Sequence, residues 1–225
     1  MEFEVIGHIK TCYGEKFGTP RQPGLVDEAW GELIFESEYR NTDAVRGLDQ
    51  FSHVWLVFVF HQEMRDGWSP TVRPPRLGGN QKVGVFASRS PFRPNPIGLS
   101  CVRLQRIDLE HKNAPILHLR GVDLVDGTPI LDIKPYIPYA DALPNANGGF
   151  APNPPTIFEV RWQDGIGDSL DQETKNLIEH TLAIDPRPAY QSSEIGREYG
   201  CLIGGWNVKW KICKASVLIF ACHTA

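Results

Sequence analysis

Residues 99–136, LSCVRLQRIDLEHKNAPILHLRGVDLVDGTPILDIKPY, contain three apolar segments that are separated by short turns. The segments span residues 99–109, 116–125 and 130–136, and their Val, Ile and Leu content is typical of β-strands. Parallel strands need a crossover connection of roughly a dozen residues, for which these turns are too short. The stretch therefore predicts an antiparallel barrel or sandwich rather than a doubly wound sheet. The same signal recurs upstream at residues 3–9, 31–35, 52–61 and 82–88.

The C-terminal part of the chain has a different pattern. Residues 143–149, LPNANGG, are typical of a loop and place a domain boundary near residue 155. Ser169 and Gln172 then have the spacing of a capping box, which predicts a helix of about 15 residues that ends at Asp185. Alternating apolar residues near the C-terminus return to strand. We therefore predict two domains, a β domain over residues 1–155 and a small α+β domain over residues 156–225.

Composition and cysteine usage indicate the broad class of protein. The chain has 225 residues, 41% hydrophobic and 22% charged, as globular proteins of one large or two unequal domains do. Its five cysteines form no CxxC pair and no apolar leader follows Met1, so we expect reduced thiols and a cytoplasmic location. The longest strongly apolar run, residues 54–60, is too short to cross a bilayer of about 30 Å as a helix, and no membrane partner is expected.

The charge is unevenly distributed along the chain. A net charge of −4 and a pI near 6.0 would argue against a nucleic-acid partner if the charges were evenly spread. Residues 67–107, which we call the basic window, contain seven basic residues and no Asp or Glu, leaving 16 basic and 27 acidic residues elsewhere. A phosphate responds to charge within a Debye length of about 8–10 Å, so the negative net charge of the whole chain does not exclude RNA binding at the basic window. The alternative is a solvated loop stiffened by proline.

Several common catalytic motifs are missing from the sequence. Gly165 and Gly167 begin a dinucleotide-binding fingerprint, but Leu170 occupies the third glycine position and no βαβ pattern surrounds it. There is no GK[ST] phosphate loop, no HExxH, no Cys/His ligand spacing and no GxSxG elbow. We therefore predict neither a Rossmann-type cofactor site, nor a metal site, nor a serine nucleophile.

Residues 88–100, SRSPFRPNPIGLS, combine polar recognition groups with proline. Arg93 and Asn95 each precede a proline, which holds their backbone extended and limits where their side chains point. Such stiffness lowers the ordering entropy that binding would cost, so the segment favours a recognition loop. A rigid connection into the next strand, the alternative, needs the prolines but neither the Arg nor the Asn.

Residues 122–136, VDLVDGTPILDIKPY, place a second polar group on a predicted strand. Asp126 begins a tight turn, whereas Asp132 and Lys134 are two residues apart and share one face of the strand. An inward-facing Asp/Lys pair would be a site, and an outward-facing one would be an exposed ion pair that contributes little to stability. The sequence leaves both orientations open.

Two shorter segments complete the polar set. Arg21 and Gln22 lie between prolines in PRQPG, residues 20–24, which repeats the stiffened loop. His61 and Gln62 end an apolar strand, where ligand-facing groups often occur. For both segments the alternative is a solvated loop or strand end.

Together these motifs make nearly the whole chain resemble the TsaA/TrmO family. The resemblance rests on PRQPG (20–24), AVRGL (44–48), FSHVWL (51–56), PPRLGG (74–79), RPNPIG (93–98), DGTP (126–129), DIKPY (132–136) and DPRPAY (185–190). Members of this family are S-adenosylmethionine-dependent tRNA methyltransferases that are usually homodimers. They methylate N6 of threonylcarbamoyladenosine, the modified base next to the anticodon of threonine tRNA.

The resemblance implies a mainly β fold and a set of cofactor contacts. Residues 1–155 would form a catalytic domain built as a single-sheet antiparallel β-barrel, followed by the small α+β domain. The positions that match the family motifs and would contact S-adenosylmethionine are Pro20, Arg21, Gln22, His61, Gln62, Arg89, Leu99, Asp126, Gly127, Thr128 and Pro129.

The chemistry of methyl transfer suggests further roles. Asn95 would hold the base or its substituent through its amide, and Asp132 or Asp126 would accept the N6 proton. Lys134 would orient Asp132 or contact a phosphate. The basic window would bind the anticodon arm, with Arg73 and Arg76 on phosphates and Trp68 or Phe92 stacking on a base. Two other functions stay open, a non-catalytic RNA-binding barrel and a small-molecule methyltransferase.

Overall fold

The computed structural model describes the whole chain except residues 1, 65, 66, 189, 190, 192, 193 and 215. It divides into two compact units. The barrel unit comprises the residues up to Lys10, Glu32–Leu119 and Gly127–Pro154. The second unit comprises Thr11–Gly31, Arg120–Asp126 and Pro155–Ala225. No helix among the described residues is both long and apolar enough to cross a membrane.

Six strands close into a single antiparallel β-barrel, as predicted. Their order around the barrel is β1-β2-β7-β6-β3-β8. A separate two-stranded ribbon pairs β4 with β5, and a four-residue helix, α1 (Pro138–Asp141), follows β8. The strands of the barrel and ribbon are β1 (Gly7–Thr11), β2 (Trp30–Phe35), β3 (His53–Val59), β4 (Thr71–Val72), β5 (Val83–Gly84), β6 (Ile97–Asp108), β7 (Ile116–Arg120) and β8 (Thr128–Pro135).

Strict alternation in β3 explains how the barrel fills its interior. Val54, Leu56 and Phe58 are buried, while the residues between them lie on the outer face. Phe58 pairs directly with Gly98 of β6, and a Cβ atom at Gly98 would lie 2.2 Å from the Phe58 ring. The missing side chain at Gly98 therefore provides the space that the Phe58 ring occupies.

A β-bulge in β8 decides which way the Asp/Lys pair faces. Asp132 pairs with Val57 of β3, but the next pair is Ile130 with Phe58, so Leu131 is an extra residue without a partner. An insertion of one residue reverses the alternation of side chains. Ile130 therefore faces the interior with Phe58, whereas Asp132 shares the outer face with Val57.

Several predicted strands are shorter in the structure. Residues 82–88 form only the two-residue β5 and a 3₁₀ turn at Val85–Ala87, because proline and glycine interrupt regular pairing on both sides. The segment predicted at residues 116–125 ends as a strand at Arg120, where Gly121 has a φ of 72°. The first strand begins at Gly7 rather than residue 3.

The second unit is an α+β structure. Its sheet has the order β10-β11-β12-β9, formed by β9 (Glu159–Trp162), β10 (Glu198–Ile203), β11 (Trp206–Cys213) and β12 (Ser216–Thr224). β9 is parallel to β12 and the other pairs are antiparallel. Residues from the N-terminal part also belong here, since Tyr13 forms a bridge with Ile203 and its hydroxyl lies 3.0 Å from Thr181 Oγ1.

The helix of this unit begins later than the sequence predicts. α2 spans Gln172–Ala183, and its N-cap is Asp171, whose carboxylate accepts hydrogen bonds from Thr174 N and Thr174 Oγ1 at 2.8 Å. The prediction of Ser169 as the cap is therefore wrong. Asp is as good an N-cap as Ser, and here a threonine three residues later offers it two donors.

Candidate active site

One end of the barrel collects most of the predicted site residues of the barrel unit. β6 and β8 are both antiparallel to β3, so the C-terminal end of β3 lies beside the N-terminal ends of β6 and β8. We call this the β3 end. A hydrogen bond of 2.8 Å from Phe60 N to Pro96 O joins two of the segments there. The predicted residues near this end are His61, Gln62, Asn95, Leu99, Gly127, Thr128 and Pro129.

The loop over residues 88–97 uses Arg93 to hold its own shape. The Arg93 guanidinium donates hydrogen bonds to Ser88 O at 3.0 Å and Ser90 O at 3.2 Å. Arg93 therefore stabilises the loop rather than reaching out from it. Asn95 is exposed, and the part of the chain that the structure describes provides no hydrogen-bond partner for its amide. Arg89 is exposed on the same loop.

A row of side chains crosses the outer face of β6, β3 and β8. Leu99, which is 54% exposed, pairs with Val57, and Val57 pairs with Asp132. Lys134 lies on the same face, with its Nζ 2.7 Å from Asp132 Oδ2, and both side chains are largely open to solvent. Asp132 Oδ1 also accepts a hydrogen bond of 2.9 Å from Ile133 N. The register thus joins a predicted cofactor contact, Leu99, to Asp132, one of the two predicted proton acceptors.

The turn that leads into β8 has mixed exposure. Gly127 is exposed with a φ of 77°, and nothing lies within 4 Å of the position that a Cβ would take. Thr128 is buried at the start of β8, while Pro129 is half-buried. Of these residues, only Gly127 presents an open backbone surface.

The remaining predicted residues belong to the second unit. Pro20 is buried, whereas Arg21 is exposed and donates a hydrogen bond of 2.6 Å to the Arg187 carbonyl oxygen. The amide of Gln22 donates to the Arg21 carbonyl oxygen. Asp126 Oδ1 accepts a hydrogen bond of 2.8 Å from Thr11 N.

Arg187 anchors the segment that holds Arg21. Its guanidinium donates to both carboxylate oxygens of Asp185, at 2.8 and 2.9 Å, and to the carbonyl oxygens of Gln191 and Glu194. The hydrogen bonds to Asp185, together with the negative charge of its carboxylate, raise the pKa of the Arg187 guanidinium. Residues 189 and 190, the last two of the motif DPRPAY, lie outside the described residues.

Sequence reasoning missed two residues, one on the outer face of β3 and one in the basic window. Val57 connects Leu99 to Asp132, but only the strand register places it between them. Phe86 is exposed beside Trp68, at a position that the sequence assigned to a regular strand. Among the residues that the structure describes, no group of three His, Cys, Asp or Glu side chains is placed to hold a metal ion.

Comparison with protein families assigns both halves of the chain. Residues 8–142 match the tRNA-methyltransferase O N-terminal domain, and residues 155–225 match the TrmO C-terminal domain. The chain belongs to the tRNA-methyltransferase O family. The resemblance noted from the sequence motifs is therefore confirmed.

Relatives of this family match over almost the full length. The tRNA (adenine(37)-N6)-methyltransferase of Escherichia coli K12 is 49% identical over 229 residues, covering 98% of this chain and 97% of the relative. A putative S-adenosylmethionine-dependent methyltransferase, RcsF, of Pseudomonas aeruginosa is 48% identical and covers 91% of this chain and 90% of its own. The crystal structure of TrmO from Pseudomonas aeruginosa superimposes with a TM-score of 0.82 at 38% identity, covering 99% of this chain and 98% of that one.

Proposed function

We propose that this chain is an S-adenosylmethionine-dependent tRNA methyltransferase that modifies N6 of adenine 37. The observation that carries the proposal is the match of both halves of the chain to the two domains of one family, with a relative of nearly equal length that bears this activity in its name. We extend the proposal to threonylcarbamoyladenosine in the anticodon arm of threonine tRNA, and to a cytoplasmic homodimer, on the strength of the shared sequence motifs.

The donor set of the predicted contacts suits S-adenosylmethionine. Leu99, which is 54% exposed, and the half-buried Val57 offer an apolar surface to a flat adenine ring. His61 and Gln62 are polar groups near the same end of the barrel, and the exposed Arg89 is suited to a carboxylate. Small-molecule sites combine an apolar lining with a few placed polar groups in this way. When bound, the cofactor supplies a methyl group on a positively charged sulfur, which is electrophilic without further activation.

The protein must then position the base and remove one proton. As the N6–C bond forms and the bond between the methyl group and sulfur breaks, the N6 nitrogen would gain positive charge and has to release its proton to a base. We assign this role to Asp132, whose Oδ2 lies 2.7 Å from Lys134 Nζ, so that Lys134 orients the carboxylate. Asp126 is the second candidate, although one of its carboxylate oxygens already accepts the Thr11 amide. Asn95, exposed at the end of the stiff loop, would hold the base or its substituent through its amide.

Methyl transfer to total tRNA tests the function directly. The purified protein is incubated with isotope-labelled S-adenosylmethionine and total tRNA, and the digested nucleosides are identified by mass spectrometry. We expect label in N6-methylated threonylcarbamoyladenosine. Label in plain N6-methyladenosine would remove the threonylcarbamoyl part of the proposal. Salt-sensitive tRNA binding without cofactor binding would support the RNA-binding barrel, and cofactor binding without tRNA affinity would support a small-molecule methyltransferase.

Single carboxylate-to-amide variants test the proton acceptor. Asp132→Asn should lower kcat roughly 10²- to 10⁴-fold, the usual contribution of a positioned base, while the cofactor Kd measured by calorimetry stays the same. Asp126→Asn keeps an acceptor oxygen for Thr11 and should retain most activity. Asp164→Asn, an exposed carboxylate of the second unit, is the matched control. Full methyl transfer by Asp132→Asn with unchanged cofactor affinity would show that Asp132 is not the base.

Charge reversal tests the basic window as the RNA surface. Arg73 and Arg76 are both exposed, and Arg76 also donates to the Asn153 carbonyl oxygen. Each phosphate contact contributes about −0.7 to −0.9 to the slope of log K against log salt. Arg73→Glu with Arg76→Glu should therefore weaken tRNA binding and flatten this slope. An unchanged slope would place the phosphates elsewhere.

A further inference from the structure

Two large aromatic side chains lie together on the surface of the basic window. Trp68 is 49% exposed and Phe86 is 72% exposed, and their ring centroids are 6.0 Å apart with 33° between the ring planes. The β4–β5 ribbon explains the contact, because Thr71 pairs with Gly84 and Val85 N donates to Pro70 O at 2.9 Å. The rings are close because the strands next to them, β4 after Trp68 and β5 before Phe86, pair with each other, although 17 residues separate the two side chains in the sequence.

Arg93 supports the pair at Phe86. The Arg93 guanidinium lies 6.0 Å from the centroid of the Phe86 ring, within range of a cation–π contact. That guanidinium is itself fixed by the carbonyl oxygens of Ser88 and Ser90, so it supports Phe86 from a defined position. The high exposure of both rings shows that much of the aromatic surface still faces solvent. An ordered, partly open aromatic surface binds a planar partner at little cost in conformational entropy.

The charge around the pair restricts the chemistry of a partner. Residues 67–107 contain no Asp or Glu, and this stretch exposes Arg73, Arg76, Lys82 and Arg89. An apolar patch inside a purely cationic segment suits a polyanion that carries flat rings. Single-stranded nucleic acid has both features, and proteins bind it with basic grooves and stacked aromatic side chains. A peptide partner would have to be acidic along this entire stretch and would leave the flat aromatic faces unused.

We propose that Trp68 and Phe86 form a stacking platform for an unpaired base of the RNA substrate. The inference rests on the proposed function, since the anticodon loop supplies such bases beside the adenine to be modified. The platform would bind the loop, while Asn95 holds the target base and Asp132 accepts its N6 proton. Trp68 and Phe86 are binding residues in this assignment and take no part in the chemistry.

The test separates stacking from packing and from charge. Trp68→Leu and Phe86→Leu keep an apolar side chain but remove the aromatic face, whereas Trp68→Phe keeps a ring. Loss of one stacked base weakens single-strand binding on the order of tenfold. The leucine variants should therefore raise the Kd for a fluorescent anticodon stem-loop about tenfold, and Trp68→Phe should restore most of the affinity. The salt slope should stay that of the unmodified protein, because stacking releases no counterions.

Controls and a second readout make the outcome decisive. Phe3→Leu and Tyr139→Leu remove aromatic rings that are 67% and 91% exposed elsewhere in the barrel unit, and should not change the Kd. At saturating cofactor, the leucine variants should raise the KM for tRNA and leave kcat within about twofold. A hairpin whose loop is closed into duplex should bind the unmodified protein and the leucine variants equally.

Three results would overturn the platform. One is an unchanged stem-loop Kd for both leucine variants. Another is a loss of affinity that is matched by a lower unfolding midpoint, which would indicate packing. The third is a change in oligomeric state on sedimentation, which would mean that a second copy of the chain covers the rings. Stem-loop binding is measured without methylation, so a failure of methyl transfer in the unmodified protein would refute the proposed function separately.

Discussion

Replacing Gly98 by alanine should destabilise the barrel because Phe58 occupies the space of the missing side chain. A Cβ at Gly98 would lie 2.2, 2.3 and 2.8 Å from three atoms of the Phe58 ring, whereas carbon atoms in contact are about 3.5–4.0 Å apart. The ring would have to retreat by more than about 1 Å, yet Phe58 is only 5% exposed and packs against Phe60 at a centroid distance of 5.1 Å. Gly98 has no positive φ, so the backbone itself would accept alanine.

Overpacking of this kind costs typically about 1–3 kcal/mol, and we expect the upper half of that range here. The free energy of unfolding is measured by urea titration of Gly98→Ala, Phe58→Leu and the double variant. Leucine lacks the ring atoms that the added methyl group would strike, so the double variant should be about as stable as Phe58→Leu alone. The coupling energy of the cycle should therefore equal the cost of Gly98→Ala in the unmodified background, about 2–3 kcal/mol. A Gly98→Ala cost below about 0.5 kcal/mol, or equal costs in both backgrounds, would refute this packing.

Three further predictions concern ionisable side chains. Burial and the nearby Arg106 lower the pKa of His118 below its ordinary 6.5, so below pH 6.5 the unfolded chain takes up a proton that the folded chain does not. The free energy of unfolding should therefore fall as the pH drops through 6.5. The urea midpoint of His118→Gln should not show this fall, and identical midpoint-against-pH profiles for the variant and the unmodified protein would contradict the lowered pKa of His118. Burial raises the pKa of the Cys12 and Cys201 thiols to about 12, so neither should react with iodoacetamide at pH 8 until the protein unfolds. Peptide mass spectrometry would detect the reaction. Alkylation of either cysteine in the native protein would contradict its burial. Arg187→Lys cannot reproduce the two hydrogen bonds to Asp185 and the two to backbone carbonyls, and should lower the free energy of unfolding by about 2–3 kcal/mol. Because the Arg187 carbonyl oxygen accepts a hydrogen bond from the Arg21 guanidinium, the same variant should also weaken cofactor binding if Arg21 is a cofactor contact. An unchanged free energy of unfolding would show that the buried ion pair is dispensable.

Strand predictions were confirmed where the residue types of one segment are enough to indicate a strand. The apolar segments predicted at residues 52–61, 99–109 and 130–136 appear in the structure as the barrel strands β3, β6 and β8, because their residue types favour strands. Failures occurred where two local signals compete. Val83 and Phe86 suit a strand, but the surrounding proline and glycine leave only a two-residue β5 and a 3₁₀ turn. Ser169 and Asp171 are both good helix caps, and only the structure shows that Asp171 is used.

Residue types and their spacing along the chain were enough to predict most of the barrel strands, the carboxylate-free basic window and the motifs that assign the family, because each of these is a local property of the chain. The tertiary structure decided the rest. The bulge at Leu131 turned Asp132 and Lys134 outward into a row with Leu99, and the β4–β5 ribbon brought Trp68 to Phe86. Arg93 was directed to carbonyl groups of its own loop rather than to solvent. Strand register and loop closure are set by pairing between distant segments, which local spacing does not encode.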